Sequence, residues 1–185
     1  MGCLRGWCDW EGGLIVFPRH EDYQNSGIDW LGEIPSHWKL VSLRYVCQFL
    51  DHRRIPLSSD YRGRMLNRTY PYYGASGVID HVEDYIFDEP TVLIAEDGAN
   101  LLSRSTPLAF IADGKYWVNN HAHILKPRLG PFRYWAHLLC TADYEPWVTG
   151  AAQPKLTKEN LGSIKVPVPP LDEQIRIAAF LDEKT

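Results

Sequence analysis

The sequence predicts a mixed α+β fold: a β-rich domain with short helices, followed by a projecting C-terminal helix. Three observations support this prediction. Between residues 70 and 127, short runs of β-branched and aromatic residues alternate with turn residues, as they do in strands. Residues 132–142 carry apolar side chains at the 3–4 spacing of a helix, and the proline-rich residues 167–170 precede a last amphipathic stretch, 171–184.

The composition limits the class of protein. With 185 residues, of which 45% are hydrophobic, the chain has the size of one domain and enough material for a core. The net charge of −4 argues against a protein that coats nucleic acid non-specifically, but it does not exclude a sequence reader. Cys3, Cys8, Cys47 and Cys140 form no CxxC pair, which predicts reduced thiols in a cytoplasmic protein. No apolar run approaches the ~20 residues that span a membrane, so no membrane partner is expected.

The first third of the chain predicts few regular elements. Residues 1–22 show no sustained period and are expected to form an N-terminal tail. Residues 23–38 predict an irregular lead-in with a turn at Ser26-Gly27, held to the domain surface by aromatic and aliphatic side chains. Residues 39–50 have apolar positions 3–4 apart and predict a short helix. Residues 51–69 hold five arginines against two aspartates, a local balance of +3, and predict a basic loop.

The middle of the chain predicts strands. Residues 91–95 are apolar and β-branched and predict a buried strand that ends in a turn. Residues 108–111 predict a second strand, which Asp113-Gly114 closes in the manner of a hairpin. Residues 116–118 and 121–125 predict the strands that follow.

The last third predicts helices and a final strand. A helix is expected over 132–142, with Pro131 at its first turn. Residues 150–156 predict a loop of small residues, and Thr157 opens a short helical turn before a strand at 164–166.

The C-terminal stretch predicts an extended spacer and a helix. Pro167, Pro169 and Pro170 form the spacer. In the helix that follows, Leu171, Ile175, Ala178 and Leu181 share one face, which Ile177 and Phe180 widen. Such an apolar surface indicates a helix that contacts a partner.

Four segments, taken in order along the chain, carry a resemblance to a known family. They are SGIDWLGEIP at 26–35 with Trp38, YPYYGASGVID at 70–80, AEDGAN at 95–100 with WVNNHAH at 117–123, and GAAQPKL at 150–156 leading to VPPLDEQ at 168–174. Together they resemble the specificity subunit of type I restriction-modification systems. The resemblance covers about residues 23–185, and the tail lies outside it.

The resemblance implies a division of labour between subunits. Residues 23–168 would form a DNA target-recognition domain that reads half of a bipartite site, and 169–185 would begin a coiled-coil spacer helix. The chain itself would be non-catalytic. Methyltransferase and restriction (motor-nuclease) subunits would dock on it, methylate adenine or cleave DNA, and bind S-adenosylmethionine, ATP and magnesium. A complete subunit would carry two such domains, so the chain is expected to be a fragment, a truncated product, or a half-subunit that self-associates or pairs with a second half.

Direct readout of double-stranded DNA needs side chains that reach base edges, such as Lys or Arg to guanine and Asn or Gln to adenine. Phosphate contacts come from arginines, hydroxyls and backbone N–H groups in loops that allow close approach. These demands select the following candidates: Tyr72, Tyr73, Gly74, Ser76, Asn119, Asn120, His121, Gln153 and Lys155 in the resembling segments, and Arg62, Arg64 and Arg104 as phosphate contacts. Ordinary turns and solvated charges remain the alternatives at each position.

Rival functions find less support. A DNA methyltransferase would need an Asn/Asp-Pro-Pro-aromatic element, but the Pro-Pro at 169–170 lies in VPPL. A metal-dependent nuclease would need Pro-Asp followed by Glu-x-Lys, which the sequence lacks. His121 and His123 share a face if their segment is a strand, and Glu96 and Asp97 are conceivable further ligands, but no third ligand is established, so no metal site is predicted. The remaining alternative is an assembly module that acts through its terminal helix without binding DNA.

Overall fold

A computed structural model describes residues 20–150 and 152–184. Most of the predicted tail, residues 1–19, lies outside the described part. The strands are β1 (Tyr23–Asn25), β2 (Glu33–Pro35), β3 (Lys39–Ser42), β4 (Cys47–Phe49), β5 (Tyr70–Gly74), β6 (Gly77–Val82), β7 (Phe87–Asp88), β8 (Thr91–Ala95), β9 (Ala109–Ala112), β10 (Lys115–Val118), β11 (Ala122–Pro127) and β12 (Lys165–Val168). The helices are α1 (Leu43–Val46), α2 (Ser59–Gly63), α3 (Asn100–Ser103), α4 (Phe132–Thr141), α5 (Lys158–Ser163) and α6 (Leu171–Lys184), with 3₁₀ turns at Asp51–Arg53 and Glu145–Trp147.

Two four-stranded sheets form the body of the domain. One has the strand order β6-β5-β10-β7, and the other has the order β4-β11-β8-β9. Two shorter antiparallel pairs, β1-β2 and β12-β3, complete the sheet structure of the described residues. The predicted fold class, a mixed α+β domain with a C-terminal helix, is confirmed.

Strand β8 lies at the centre because every one of its residues is buried. Its side chains alternate between two cores, as the twofold repeat of a strand requires. Val92 and Ile94 point into the core that contains Trp135 of α4, whereas Leu93 points into the second core with Tyr116 of β10. The strand is therefore the shared wall of both cores.

Several sequence predictions are confirmed. Strands occupy the positions predicted at 91–95, 116–118 and 121–125. Helix α4 begins at Phe132 directly after Pro131, and α5 is capped by Thr157, whose hydroxyl accepts a hydrogen bond from the Asn160 N–H at 3.2 Å.

The predictions for the first third were wrong in two places. Residues 23–38 are not irregular, because β1 and β2 pair in antiparallel register, Tyr23 opposite Pro35. Residues 39–50 form a strand, a single helical turn and a second strand. The expected 3–4 spacing places Leu43 and Cys47 in the same core, but β3 pairs with β12 and β4 pairs with β11. These distant ladder partners override the local helical pattern.

The hairpin predicted at Asp113-Gly114 was also wrong. The turn exists, but β9 pairs with β8 and β10 pairs with β5 and β7, so the chain passes here from one sheet to the other. A two-residue turn determines only the reversal of the chain. The hydrogen-bond partners come from elements distant in sequence.

The proline spacer is shorter than predicted. Pro167 lies inside β12 opposite Leu40, and its carbonyl accepts a hydrogen bond from the Tyr134 hydroxyl at 2.9 Å. A proline is tolerated there because β12 has a partner on one side only, β3. Only Pro169 and Pro170 remain between the strand and α6.

Helix α6 packs against α4 over its described length rather than projecting freely. Gln174 and Ala178 are buried, whereas Leu171 and Ile175 are 54% and 52% exposed. The apolar face predicted from the sequence is therefore rotated away from the domain at its first two members. Asp182 closes the contact with α4 through His137 at 2.9 Å. No helix in the described ranges is long and apolar enough to cross a membrane.

The packing of α6 against the domain depends on the absence of a side chain at Gly130. A β-carbon at that position would lie 1.9 Å from Oε1 of Gln174, whose Nε2 donates to the Pro169 carbonyl at 2.9 Å. Gly130 also has a φ of +80°, a region that favours glycine.

We expect Gly130→Ala to destabilise the domain more than Gly114→Ala. Both substitutions force alanine into positive φ, at about 1–2 kcal/mol, but Gly114 has open space around it. Gly130→Ala also displaces the Gln174 amide, an overpacking cost of about 1–3 kcal/mol. Urea unfolding measures both, and adding Gln174→Ala should remove the excess. Equal losses in the two single variants would contradict this account.

Candidate nucleic-acid interface

Four loops meet at one edge of the domain, where β5, β8 and β10 end. Strands β5 and β10 are parallel, so the turn at 75–76 and residues 119–121 emerge side by side. Residues 96–99 follow β8, and residues 152–156 lie against them, with the Leu156 N–H donating to the Glu96 carbonyl at 2.8 Å. Backbone hydrogen bonds join neighbouring loops. The Asn119 N–H donates to the Tyr73 carbonyl at 3.0 Å, and the Glu96 N–H donates to the His121 carbonyl at 2.9 Å. The structure therefore brings three of the resembling segments together.

Residues 149–150 and 152–156 form a closed loop that is hydrogen-bonded to the segment after β8. Thr149 and Lys155 exchange two backbone hydrogen bonds of 2.8 Å, and the Gly98 N–H donates to the Pro154 carbonyl at 3.0 Å. Gly150 permits this closure, since a β-carbon there would lie 2.5 Å from the Gln153 carbonyl oxygen. Gln153 and Lys155 consequently stand exposed on a constrained backbone.

An ion pair lies beneath these loops. The Arg54 guanidinium hydrogen-bonds the Glu96 carboxylate and donates to the Ala122 carbonyl at 2.8 Å. Their side chains are only 16% and 11% exposed. The other carboxylate oxygen of Glu96 lies 3.2 Å from the ammonium of Lys155. One carboxylate thus orients both a buried arginine and the exposed lysine.

His123 joins the same network from below. Its Nδ1 lies 2.7 Å from Asp51, and its Nε2 lies 2.7 Å from the Leu156 carbonyl. The ring therefore bridges the Asp51 carboxylate and the Leu156 carbonyl. Both nitrogens are engaged by the protein, which gives His123 a structural role.

The carboxylates of this network are held in their ionised forms. Burial raises the pKa of Asp51. The hydrogen bond and charge of His123, together with the Ile124 N–H and Arg54, lower it by more, so the net pKa of Asp51 lies below its ordinary value. Burial likewise raises the pKa of Glu96, and Arg54, His123 and Lys155 lower it to a net decrease. The network remains charged at neutral pH.

In the segment 119–121, one side chain is buried and supports the turn, and the other two are exposed. Asn119 is buried, and its side-chain oxygen accepts from the His121 N–H at 2.8 Å, which holds the turn. Asn120 and His121 are exposed, and Nδ1 of His121 lies 2.8 Å from Asp97. Asn120 and His121 therefore face solvent beside the exposed Gln153 and Lys155.

The tyrosine segment supports the loops from within. Tyr72 is buried, and its hydroxyl accepts from the Leu57 N–H at 3.0 Å. Tyr73 packs against the rings of Phe110 and Tyr116, with centroids 5.6 and 5.5 Å away. Beyond them, Gly74 ends β5 and is buried, whereas Ser76 is exposed in the turn.

The predicted arginines are not brought together with these loops. Arg62 pairs with Asp80 at 2.8 Å and lies over the Tyr72 ring. Arg64 is exposed at the end of α2. Arg104 has a φ of 51° and donates to the Ala142 carbonyl at 3.0 Å, beyond the C-terminus of α4. Their roles as phosphate contacts remain predictions.

The predicted net positive charge of residues 51–69 did not take into account carboxylates from other parts of the chain, which pair with several of these arginines. Arg53 lies 2.6 Å from Glu89, and Arg68 lies 3.1 Å from Asp80. The sequence pattern did not indicate that Arg54 and Glu96 pair beneath the loops. The signal that could have found Glu96 is its place directly after a fully apolar strand, where a carboxylate needs a cation.

Comparisons with known proteins identify relatives over most of the chain. Residues 35–184 match the family described as the type I restriction modification DNA specificity domain. A type I restriction enzyme specificity subunit of Haemophilus influenzae is 38% identical over 80% of this chain and 37% of its own length. The EcoprrI specificity subunit of Escherichia coli is 30% identical over 62% of this chain and 27% of its own length. The chain thus spans about a third of the length of these relatives.

Solved structures share the fold at low sequence identity. The S subunit of a type I restriction-modification system from M. genitalium matches 85% of this chain and 39% of its own, with a TM-score of 0.62 and 13% identity. The HsdS subunit from Thermoanaerobacter tengcongensis matches 87% of this chain and 39% of its own, with a TM-score of 0.54 and 24% identity.

We expect Arg54→Met to lower the free energy of unfolding by about 3 kcal/mol, because it leaves Glu96 and Asp51 buried beside a lost cation. Arg176→Met is the matched control, since it removes an i,i+4 pair with Asp172 whose side chains are 62% and 72% exposed. The control should cost less than about 1 kcal/mol. Urea unfolding at neutral pH measures both, and similar small losses would argue against a network held by Arg54.

Stability should fall in acid because Asp51 and Glu96 have lowered pKa values. A carboxyl with a lowered folded-state pKa stabilises the protein above its unfolded pKa and loses that contribution as the pH falls through the folded pKa. The free energy of unfolding should therefore decrease from about pH 5 downward. Asp51→Asn should reduce the slope of the unfolding free energy against pH by the contribution of about one proton, measured by urea unfolding at several pH values. An unchanged slope in this variant would contradict the assignment.

Proposed function

The chain belongs to the family of type I restriction-modification DNA specificity domains, and from that membership we propose that it recognises one half of a bipartite DNA target. Its task is to impose sequence choice on chemistry performed by partner subunits. The observation that carries the proposal is the single surface on which Asn120, His121, Gln153 and Lys155 stand exposed at joined loops.

These side chains match the demands of base readout. Gln153 and Asn120 carry amides that pair with the N6 and N7 edge of adenine, and Lys155 reaches the O6 and N7 edge of guanine. The ion pair with Glu96 fixes the direction of Lys155 before DNA arrives. A lysine that is already oriented loses less conformational freedom when it binds a base.

The nearby carboxylates contribute to selectivity. Glu96 and Asp97 lie in the neighbouring loop after β8, where they contact Lys155 and His121, and they repel phosphate groups that approach without matched base contacts. Together with the net charge of −4, they favour weak non-specific binding. DNA would then be held through its sequence rather than through its charge alone.

Methyltransferase and restriction subunits are the proposed protein partners. S-adenosylmethionine, ATP and magnesium belong to those partners, and this chain is proposed to be non-catalytic. A second recognition domain, from a second copy of the chain or from another polypeptide, would read the other half of the target. Membership in the specificity family supports DNA reading over the alternative of an assembly module without DNA binding.

A selection from a randomised duplex library tests the proposal. The protein is used alone and then with its methyltransferase subunit, at low salt. An enriched motif of a few base pairs supports a half-site reader, and a duplicated, spaced motif indicates that two copies act together. Enrichment that requires the methyltransferase indicates shared affinity. If neither condition enriches a motif, the assembly-module alternative becomes the better account.

We expect Lys155→Ala and Gln153→Ala each to weaken binding to the selected duplex by about 1–3 kcal/mol per lost base contact. Lys115→Ala is the control, because Lys115 begins β10 and lies about 13 Å along the strand from Asn119 at the usual rise per residue. Fluorescence anisotropy at fixed salt measures the affinities. Unchanged affinity in both loop variants would refute these two assignments.

A further inference from the structure

A cluster of two imidazoles and one carboxylate lies away from the loops described above. It is formed by His20 at the start of the described chain, His37 between β2 and β3, and Glu173 in the first turn of α6. Nε2 of His37 lies 2.6 Å from Oε1 of Glu173, and Nε2 of His20 lies 3.6 Å from Oε2. The three ligand atoms all lie within 4.8 Å of one another.

The donor set and its spacing fit a transition metal. Zinc binds histidine nitrogen and glutamate oxygen at about 2.0–2.2 Å, which places the atoms of a tetrahedral site about 3.4 Å apart. The distances of 2.6 and 3.6 Å from the two imidazoles run to different oxygens of Glu173, and they lie on either side of that value. With one ligand atom from each residue, the three atoms lie within 4.8 Å of one another, so side-chain shifts on the order of 1 Å would admit the ion.

The surroundings orient the ligands. The indole N–H of Trp38 donates to Oε2 of Glu173 at 2.8 Å, and the carboxylate is only 12% exposed. A hydrogen bond of this kind holds a ligating carboxylate in place. The backbone N–H of Ser36 donates to the Asp22 carbonyl at 3.0 Å, which holds the segment of His20 beside that of His37. The two imidazole centroids are 4.9 Å apart.

We propose that His20, His37 and Glu173 bind a divalent transition-metal ion of the zinc type, with water as the fourth ligand. Neutral imidazoles and a carboxylate are ligands that suit Zn²⁺, and Co²⁺ and Ni²⁺ accept the same set. The ion joins the segment before β1 and the β2–β3 connection to the first turn of α6. It acts as a structural clip on the helix, and it is independent of the proposed DNA function.

The direct contact between His37 and Glu173 is the competing arrangement. In the absence of metal, the imidazole donates one hydrogen bond to the carboxylate, which satisfies two of the three groups. His20 gains nothing comparable, because 3.6 Å is too long for a hydrogen bond. A metal would give all three groups a bond, and His20 is therefore the residue that distinguishes the two arrangements.

The test is a Co²⁺ and Zn²⁺ titration of the full chain without an affinity tag. Cys3 and Cys8 are replaced by serine in every sample, because thiolates would compete for these ions. We expect one equivalent of Co²⁺ to bind at micromolar protein, with visible d–d absorption and without a thiolate charge-transfer band. Zn²⁺ should displace it and raise the Tm.

Substitutions assign the site. Trp38→Phe should weaken binding about 10- to 100-fold, as expected for loss of a partner that orients a ligand. His20→Ala, His37→Ala and Glu173→Gln should each weaken it further. Glu173→Gln keeps an oxygen that can accept from Trp38, and His20→Ala removes a side chain with no hydrogen bond to Glu173 and only ring contacts with Tyr23, His37 and Trp38; far-UV circular dichroism checks that both variants fold. His81→Ala, an exposed histidine on β6, should bind like the parent.

Two results would overturn the proposal. One is a parent protein that takes up no Co²⁺ or Zn²⁺ at micromolar concentration. The other is full affinity in His20→Ala, which would leave only the His37–Glu173 hydrogen bond. Neither result bears on DNA recognition, because DNA binding is measured in separate samples and depends on different residues.

Discussion

The architecture depends on one strand that is buried on both faces. Residues 91–95 have no side chain that can meet water, so β8 requires a layer of packing on each side and a ladder partner along each edge. Helix α4 covers one face, and residues of β7 and β10 cover the other. Strands β11 and β9 satisfy its edges. Once these partners are in place, the polar residues after Ala95 must emerge at the edge where β5 and β10 also end.

That arrangement explains why costly charges are found beneath the loops. Glu96 follows the buried strand directly, so its carboxylate begins in a largely dry environment, where an unpaired charge is expensive. Arg54 supplies the cation, and Asp51 with His123 extends the network to the Leu156 carbonyl. A charged network of this kind has directional bonds, whereas apolar packing does not. It therefore joins the loops that contain Glu96, Asn120 and Lys155, at a surface where the backbone has few ladder bonds.

Local patterns predicted the elements whose packing is decided nearby. The run 91–95, the helix at 132–142 and the Thr157 cap each carry their own signal in neighbouring residues, and the structure contains all three. Residues 39–50 and Asp113-Gly114 failed because their partners, β12, β11 and β5, lie far away in sequence. The site followed the same rule. The resembling motifs selected Gln153 and Lys155, which are exposed in the structure and whose role in DNA binding stays a prediction, but no spacing indicated that Arg54 would meet Glu96, 42 positions later.

The pairing of β3 with β12 has a further consequence for the domain as a unit. It sets Lys39 opposite Val168, so the chain enters and leaves the body of the domain through adjacent strands. Opposite residues in such a pair are about 5 Å apart. A body with neighbouring entry and exit points can be inserted into a longer polypeptide, or exchanged for another of the same design, with little change in the flanking segments. The two strands form a fixed point of attachment, and the loops of the candidate interface can change in sequence without altering how the domain is joined to the flanking chain.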